Sequence, residues 1–279
     1  MESSEHGRDR RRAVLYRGEL SDPAIVSNAL SPFFNYGLGF FETVLYDGGK
    51  LHLFDRHLDR MKNTCRDFSV KVDFSEITEE KILRYLESQN LTEHCSRVKI
   101  LYAPVSDPAR WDTVVSAAPY TRPVNDFVLS VHDEVRDTVL NRYKSLNYNF
   151  NLHWRDHYRQ KDKSDEVLFL NRYGNILEGS YTNILLIKGD TLFYAGKNQN
   201  YLKGIMQNRI LEAASKSDWR IAGLEKGIDL ETLQSADEVM VCNSLLLIKK
   251  VGKILRDDEV WKWDTQSGPS RGDKLLELI

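Results

Sequence analysis

"GNILEGSYTNILLI", Gly174 to Ile187, alternates in polarity and then runs apolar, like a strand entering a core. Glu178 sits in its middle, between Leu177 and Gly179, and small polar residues follow. An ionised carboxylate is costly to bury unless a cation or a proton-bearing group meets it. Alone, Glu178 reads as a turn residue at the mouth of a core, and the stretch asks what stands opposite it.

With 279 residues the chain is long enough for two modest domains. Apolar residues make up 41% and charged residues 29%, the balance of a soluble globular protein. A net charge of −2 gives no electrostatic reason to expect nucleic acid or an anionic membrane as partner. No apolar run has the length to cross a bilayer, and the polar start, "MESSEHGRDRRRAV", lacks the apolar core of a secretory signal. Cys65, Cys95 and Cys242 are scattered, without CxxC spacing, which argues against a disulfide framework and for a cytoplasmic location. Residues 1–12, with Arg8 and Arg10 to Arg12, read as a disordered arm.

Strand and helix patterns then intermix, so the fold class is α+β. "AVLYRGEL" suggests a strand and turn, and "FFETVLYDGGKLHLF" a hairpin turning at Asp47-Gly48-Gly49. "FDRHLDRMKNTCRDF" has helical spacing, with Leu58, Met61 and Cys65 on one face. "SEITEEKILRYLESQNL" is a second helix, capped by Ser75 or Thr78. "SRVKILYAPV" is a strand, and Pro119 and Pro123 mark a linker. Beyond it lie a helical "NYNFNLHWRDHYRQK", the strands "EVLFLNRYGNILEG" and "TNILLIKGDTLFYA", the helix "IMQNRILEAASKS", late strands in "EVMVCNSLLLIKKVGKIL" and a C-terminal helix. The domains expected are a small α/β domain over 13–121 and a larger one over 122–279. A cleft between two domains is a favoured place for a small-molecule site.

Three pieces carry possible chemistry, and each has an ordinary structural reading beside it. Lys144, in "NRYKSLNYNFN", has no carboxylate within four residues downstream. A desolvated lysine attacks carbonyls as a free amine, yet a surface lysine at a helix start looks the same. Gly204, in "NYLKGIMQNRILEAAS", opens an amphipathic helix whose free N–H groups suit a phosphate, though most such helices bind nothing. Arg56 and Arg60, four apart beside His57, suit phosphate or carboxylate, or simply a solvated face. "HWRDH" lacks the glutamate of HExxH and a third ligand, so no metal is expected, and Ser180 has no GxSxG frame.

Taken in order, these pieces resemble the class IV aminotransferases, the fold-type IV enzymes that use pyridoxal 5′-phosphate (PLP). That family includes branched-chain and D-amino-acid aminotransferases and 4-amino-4-deoxychorismate lyases. "YGLGFFETVLYDGGKLHLFDRHLDRM" is similar to its N-terminal block and "KSLN" to its Schiff-base lysine segment. "EVLFLNRYGNILEGSYTNILLI" resembles its signature strand pair and "LKGIMQNRILE" its phosphate-binding helix. The resemblance implies a small N-terminal domain, a larger barrel-like C-terminal domain and a homodimer. Lys144 would hold PLP and move protons, and Glu178 would face the pyridine nitrogen, so that its partner is a cofactor and not a side chain. Arg60, with the backbone of Gly204, Ile205 and Met206, would hold the phosphate. Thr182 and Asn183 would lie by the ring, Asn243 and Ser244 near the phosphate or substrate carboxylate, and Phe41 and Arg110 on the substrate side.

Within the family, "VCNSLLLI" is closer to the lyases' strand than to that of the D-amino-acid aminotransferases. It implies a lyase releasing 4-aminobenzoate and pyruvate, a step of folate biosynthesis. The alternatives are transamination of branched-chain or D-amino acids and a non-catalytic PLP-binding relative. Two departures bear on the substrate side: Leu38 stands where the family has an aspartate, and Ala103 where an arginine is common.

Overall fold

"FFETVLYD" alternates between a core face and an outer face, and it folds accordingly as a strand in which Phe40, Glu42, Val44 and Tyr46 are buried. The computed structural model describes residues 13–22, 31–107, 109–264 and 270–279. The arm expected at 1–12 lies outside them. Two units separate: Met1–Thr121 with Ser145–Asn147, and Arg122–Lys144 with Tyr148–Ile279. A boundary at 121/122 taken along the chain leaves out the short return of Ser145–Asn147 to the first unit. Ser145 bridges Phe40 there, and the Leu146 N–H donates to the Gly39 carbonyl.

In the first unit the elements are β1 (Val14–Tyr16), β2 (Glu19–Ser21), α1 (Pro32–Tyr36), β3 (Phe40–Asp47), β4 (Lys50–Leu51), α2 (Phe54–Asp67), α3 (Glu79–Ser88), β5 (Ser96–Asp107) and β6 (Arg110–Pro119). The strands form one sheet in the order β2-β1-β6-β5-β3-β4. α2 buries Leu58, Met61 and Cys65 on it, the face its spacing predicts. Thr78, not Ser75, caps α3: its hydroxyl accepts from the Lys81 N–H, with Glu79 and Glu80 in the first turn. Ser75 turns instead to Asp73. The hairpin is shorter than "FFETVLYDGGKLHLF" suggests, because β4 has two residues before α2 begins.

The second unit continues with β7 (Phe127–Val135), a 3₁₀ turn (Val139–Arg142), α4 (Asn149–Asp162), β8 (Glu166–Leu170), β9 (Ile176–Gly179), β10 (Asn183–Lys188), β11 (Thr191–Ala195), α5 (Ile205–Ala214), β12 (Arg220–Leu224), α6 (Leu230–Gln234), β13 (Glu238–Asn243), β14 (Leu247–Arg256), β15 (Glu259–Lys262) and α7 (Arg271–Glu277). The sheet runs β12-β11-β10-β13-β14-β7-β8-β9, and β15 pairs with β14. It curls until β9 comes back to β10, where the Gly179 N–H donates to the Thr182 carbonyl. Every residue of β8 and β9 is buried, so the apolar run there reflects cover on both faces. Leu129, Leu168, Ile176, Ile184, Leu186 and Val241 belong to the core inside this curl. The curl sets the start of β8 and the end of β9 beside the start of β10. Among the described residues no helix is long and apolar enough to cross a membrane.

Leu186 is fully buried on β10. Leu186→Ala should lower stability by about 3 kcal/mol, through lost transfer energy and the cavity left behind. Urea unfolding followed by far-UV circular dichroism checks this; a loss under about 1 kcal/mol would mean the curl is not tightly packed there.

Candidate active site

The carboxylate of Glu178 is buried, as its place between Leu177 and Gly179 suggests. β9 presents it opposite Phe169 of β8. Its Oε2 accepts from the Leu202 backbone N–H at 3.1 Å, and Arg136 Nη1 stands 3.5 Å from Oε1. Burial pushes its pKa up to about 7, while the Arg136 charge, the Leu202 N–H and the charges of Lys203 and Lys144 pull it down. Arg136 is thus an encoded cation beside Glu178, in addition to the ring nitrogen that the resemblance implies as its partner. Arg136 follows β7, and its guanidinium lies over the rings of Phe150 and Phe169 at 5.6 and 5.2 Å.

Lys144 is half-buried in the irregular segment after the 3₁₀ turn, with Nζ 5.3 Å from the centre of the Tyr148 ring. Its charge acts on Glu178, so the structure brings the predicted lysine and carboxylate into one electrostatic neighbourhood. A second lysine joins them. Lys203 Nζ lies over the buried Tyr201 ring at 3.2 Å and donates to the Gln199 carbonyl at 2.9 Å. Burial pushes its pKa down to about 7, against the pull of Glu178. Neither Arg136 nor Lys203 stands out in the sequence: the first is 42 residues from Glu178 and the second sits in a loop.

Gly204 leads α5 in extended conformation, and no side chain caps the helix start. No acidic residue occupies the first turn, where Ile205 and Met206 are buried. A Cβ at Gly204 would fall 1.9 Å from Asn183 Oδ1, so a side chain there would displace the Asn183 amide. Asn183 donates from Nδ2 to the Leu202 carbonyl at 2.8 Å, and so ties β10 to the chain entering α5. Thr182 is also buried, with its hydroxyl donated to Glu166 Oε2 at 2.8 Å. Asn243 builds the β13–β14 turn: its Oδ1 accepts from Leu245 and Leu246 N–H, and its Nδ2 donates to the Tyr181 carbonyl. Ser244 lies within that turn.

The remaining predicted residues belong to the first unit. Arg60 donates from Nε and Nη2 to the two oxygens of buried Glu42, at 2.8 and 2.6 Å. His57 Nδ1 lies 2.7 Å from the same carboxylate. Burial would raise the Glu42 pKa, but the Arg60 charge and the hydrogen bonds from His57 and Arg60 bring it down to about 2. Arg60 is thus a fixed cation, while Arg56 is exposed. Glu42 is a further residue that sequence reasoning missed; a lone charge at a core-facing position of an alternating strand is the signal that finds it. Phe41 is half-buried with Lys99 Nζ 4.7 Å from its ring centre, and Arg110 Nε lies 3.0 Å from Asp112 Oδ1.

The description of the family whose model matches residues 39–254 is amino-transferase class IV. The chain belongs to this family. It is a PLP-dependent enzyme, since the family depends on that cofactor. The chain is 29% identical over 272 residues to the aminodeoxychorismate lyase of Bacillus subtilis, covering 90% of this chain and 88% of that one. It is 22% identical over 249 residues to the D-alanine aminotransferase of Listeria monocytogenes, covering 85% and 84%. A hypothetical aminotransferase from Mycobacterium tuberculosis in its PLP-bound form shares the fold, with TM-score 0.80, 17% identity and coverage of 95% and 96%.

The donor set of the second unit fits the cofactor. A buried carboxylate with a pKa near 7 suits a ring nitrogen that carries a proton, and an uncapped glycine-led helix start suits a phosphate.

The raised pKa of Glu178 has a measurable consequence in cofactor-free protein. Between about pH 4.5 and about 7 the folded chain keeps a proton on Glu178 that the unfolded chain has released. Stability on this account falls as pH rises through that window, and stays lower above it. Glu178→Gln should shrink the drop in melting temperature between pH 5 and pH 8 by roughly 3–6 °C. Equal drops in variant and wild type would mean that Glu178 titrates normally.

Proposed function

We propose that the chain is a 4-amino-4-deoxychorismate lyase, releasing 4-aminobenzoate and pyruvate. The observation that carries this reading is the Bacillus subtilis relative, 29% identical across 90% of the chain, against 22% for the D-alanine aminotransferase. "VCNSLLLI", which includes the end of β13 and the turn after it, agrees with the lyase reading.

Bound PLP supplies an electron sink for charge that develops at the substrate carbon. Lys144 is proposed to hold it through Nζ and would serve as the base for the proton on the substrate carbon that bears the amine. Loss of this proton would break the bond between the neighbouring ring carbon and the ether oxygen; enolpyruvate would leave and take up a proton as pyruvate, and the remaining ring is aromatic. Glu178 keeps the pyridine nitrogen protonated, with Arg136 and the Leu202 N–H holding its carboxylate in place. The backbone of Gly204, Ile205 and Met206 takes the phosphate, Thr182 and Asn183 flank the ring, and Asn243 and Ser244 shape the adjoining turn. For the first unit the proposed roles are phosphate binding for Arg60 and substrate contact for Phe41 and Arg110.

Purified protein should be yellow, and Lys144→Ala should lose the visible absorption of the lysine-bound cofactor. A colourless protein that takes up no PLP refutes the reading. Glu178→Gln should keep the cofactor yet lose about 100-fold in kcat, because a neutral amide cannot hold the ring nitrogen protonated.

The reaction itself is tested by mixing the enzyme with aminodeoxychorismate, and separately with L- and D-amino acids. Release of 4-aminobenzoate and pyruvate with the cofactor spectrum restored is the expected result. Conversion to the pyridoxamine form by an amino acid, with no release from aminodeoxychorismate, would select transamination instead.

A further inference from the structure

Glu166 is a second buried glutamate of the strand pair, and no role for it follows from the sequence. It opens β8 and is 1% exposed. No cation pairs with it among the described contacts; five neutral donors do. Oε1 accepts from the Val167 N–H at 2.8 Å, the Ser180 N–H at 2.9 Å and the Ser180 hydroxyl at 2.5 Å. Oε2 accepts from the Tyr181 N–H at 3.1 Å and the Thr182 hydroxyl at 2.8 Å. Four of these five donors lie in the turn that joins β9 to β10, directly after Glu178.

The turn is built round that carboxylate. A Cβ at Gly179 would fall 2.8 Å from Glu166 Cδ and 2.4 Å from Thr182 Oγ1, so a larger residue there would push both side chains out of their hydrogen bond. Two flanking residues leave the turn and meet again. Glu178, before it, accepts from the Leu202 N–H; Asn183, after it, donates to the Leu202 carbonyl. Leu202 stands two residues before Gly204 and the start of α5. A closed circuit thus runs from Glu166 through the turn to Glu178 and Asn183, and from both to the backbone of one residue, Leu202, at the mouth of α5.

We propose that Glu166 is the positioning residue of this site: its carboxylate fastens the Gly179–Thr182 turn, and thereby sets the Glu178 carboxylate and the chain entering α5. The consequence for cofactor binding rests on the PLP reading above; the consequence for Glu178 does not. The role needs a carboxylate and not only its shape. A glutamine amide in one orientation would aim its NH₂ at the Val167 and Ser180 N–H groups, and in the other at the Tyr181 N–H. Either leaves donor facing donor in a buried place. Burial pushes the Glu166 pKa up, and the hydrogen bonds from the Ser180 hydroxyl, the Val167 N–H, the Thr182 hydroxyl and the Tyr181 N–H work against it.

The test compares wild type with Glu166→Gln. In cofactor-free protein labelled with ¹³C-glutamate, the Glu178 carboxyl is followed by NMR through pH and assigned by its loss in Glu178→Gln. The charged and titratable groups that face it are Arg136, Lys203, Lys144 and Tyr201, all retained in the variant. With Leu202 no longer fixed, Glu178 should titrate about half a unit or more higher. In the same variant the half-saturating PLP concentration should rise about tenfold, with helix content unchanged. Unchanged Glu178 titration overturns the proposal. If wild type takes up no PLP, the cofactor reading falls and the NMR result still decides the role of Glu166. Should Glu166→Gln fail to fold, Thr182→Val removes one of the five donors at constant shape. A smaller upward shift of Glu178 in that variant supports the proposal, and none overturns it.

Discussion

A carboxylate carried into the interior must be answered by donors, and three buried glutamates are answered in three ways. Glu42 receives a guanidinium fork and an imidazole, and becomes a strong acid at about 2. Glu166 receives five neutral donors and serves as the knot of a turn. Glu178 receives one backbone N–H and an arginine at 3.5 Å, too little to offset its burial, and its pKa rises to about 7. The least-answered of the three is the one proposed to meet the cofactor.

That deficit agrees with the chemistry of the family. Glu178 and Lys203 titrate near the same pH and act on each other, so this part of the second unit is balanced between charge states near neutrality. A cofactor bearing a proton on its ring nitrogen would tip Glu178 to the ionised form. Arg136, held between two rings, is less free to reorganise than an exposed arginine, and supplies a steady opposing charge. Backbone joins the same arrangement: the Asn183 side chain reaches Leu202, and Gly204 leaves it the room.

Local pattern accounts for most of what could be read beforehand. The strand pair around Glu178, the helix opening at Gly204 and the buried face of α2 follow from period and from glycine placement. The partners of the buried charges did not follow. Arg136 reaches Glu178 across 42 residues, and Glu166 meets Thr182 across 16, distances at which periodicity carries no information. Arg60 illustrates the same limit: its spacing marked it as a cation on a helix, yet its tie to Glu42 depends on how α2 lies on β3.

The sequence by itself determined the α+β class, the glycine-led start of α5, and the presence of Lys144 and Glu178 in a pattern shared with the class IV aminotransferases. These are properties of neighbouring residues, and turn chemistry and hydrophobic period express them directly. Only the tertiary structure decided which donors meet each buried carboxylate, because the curl of the sheet brings the start of β8, the end of β9 and the start of β10 together. Burial then does the rest: once water is excluded, the number and kind of donors at each oxygen set whether a glutamate acts as an acid, a knot or a partner for a ligand.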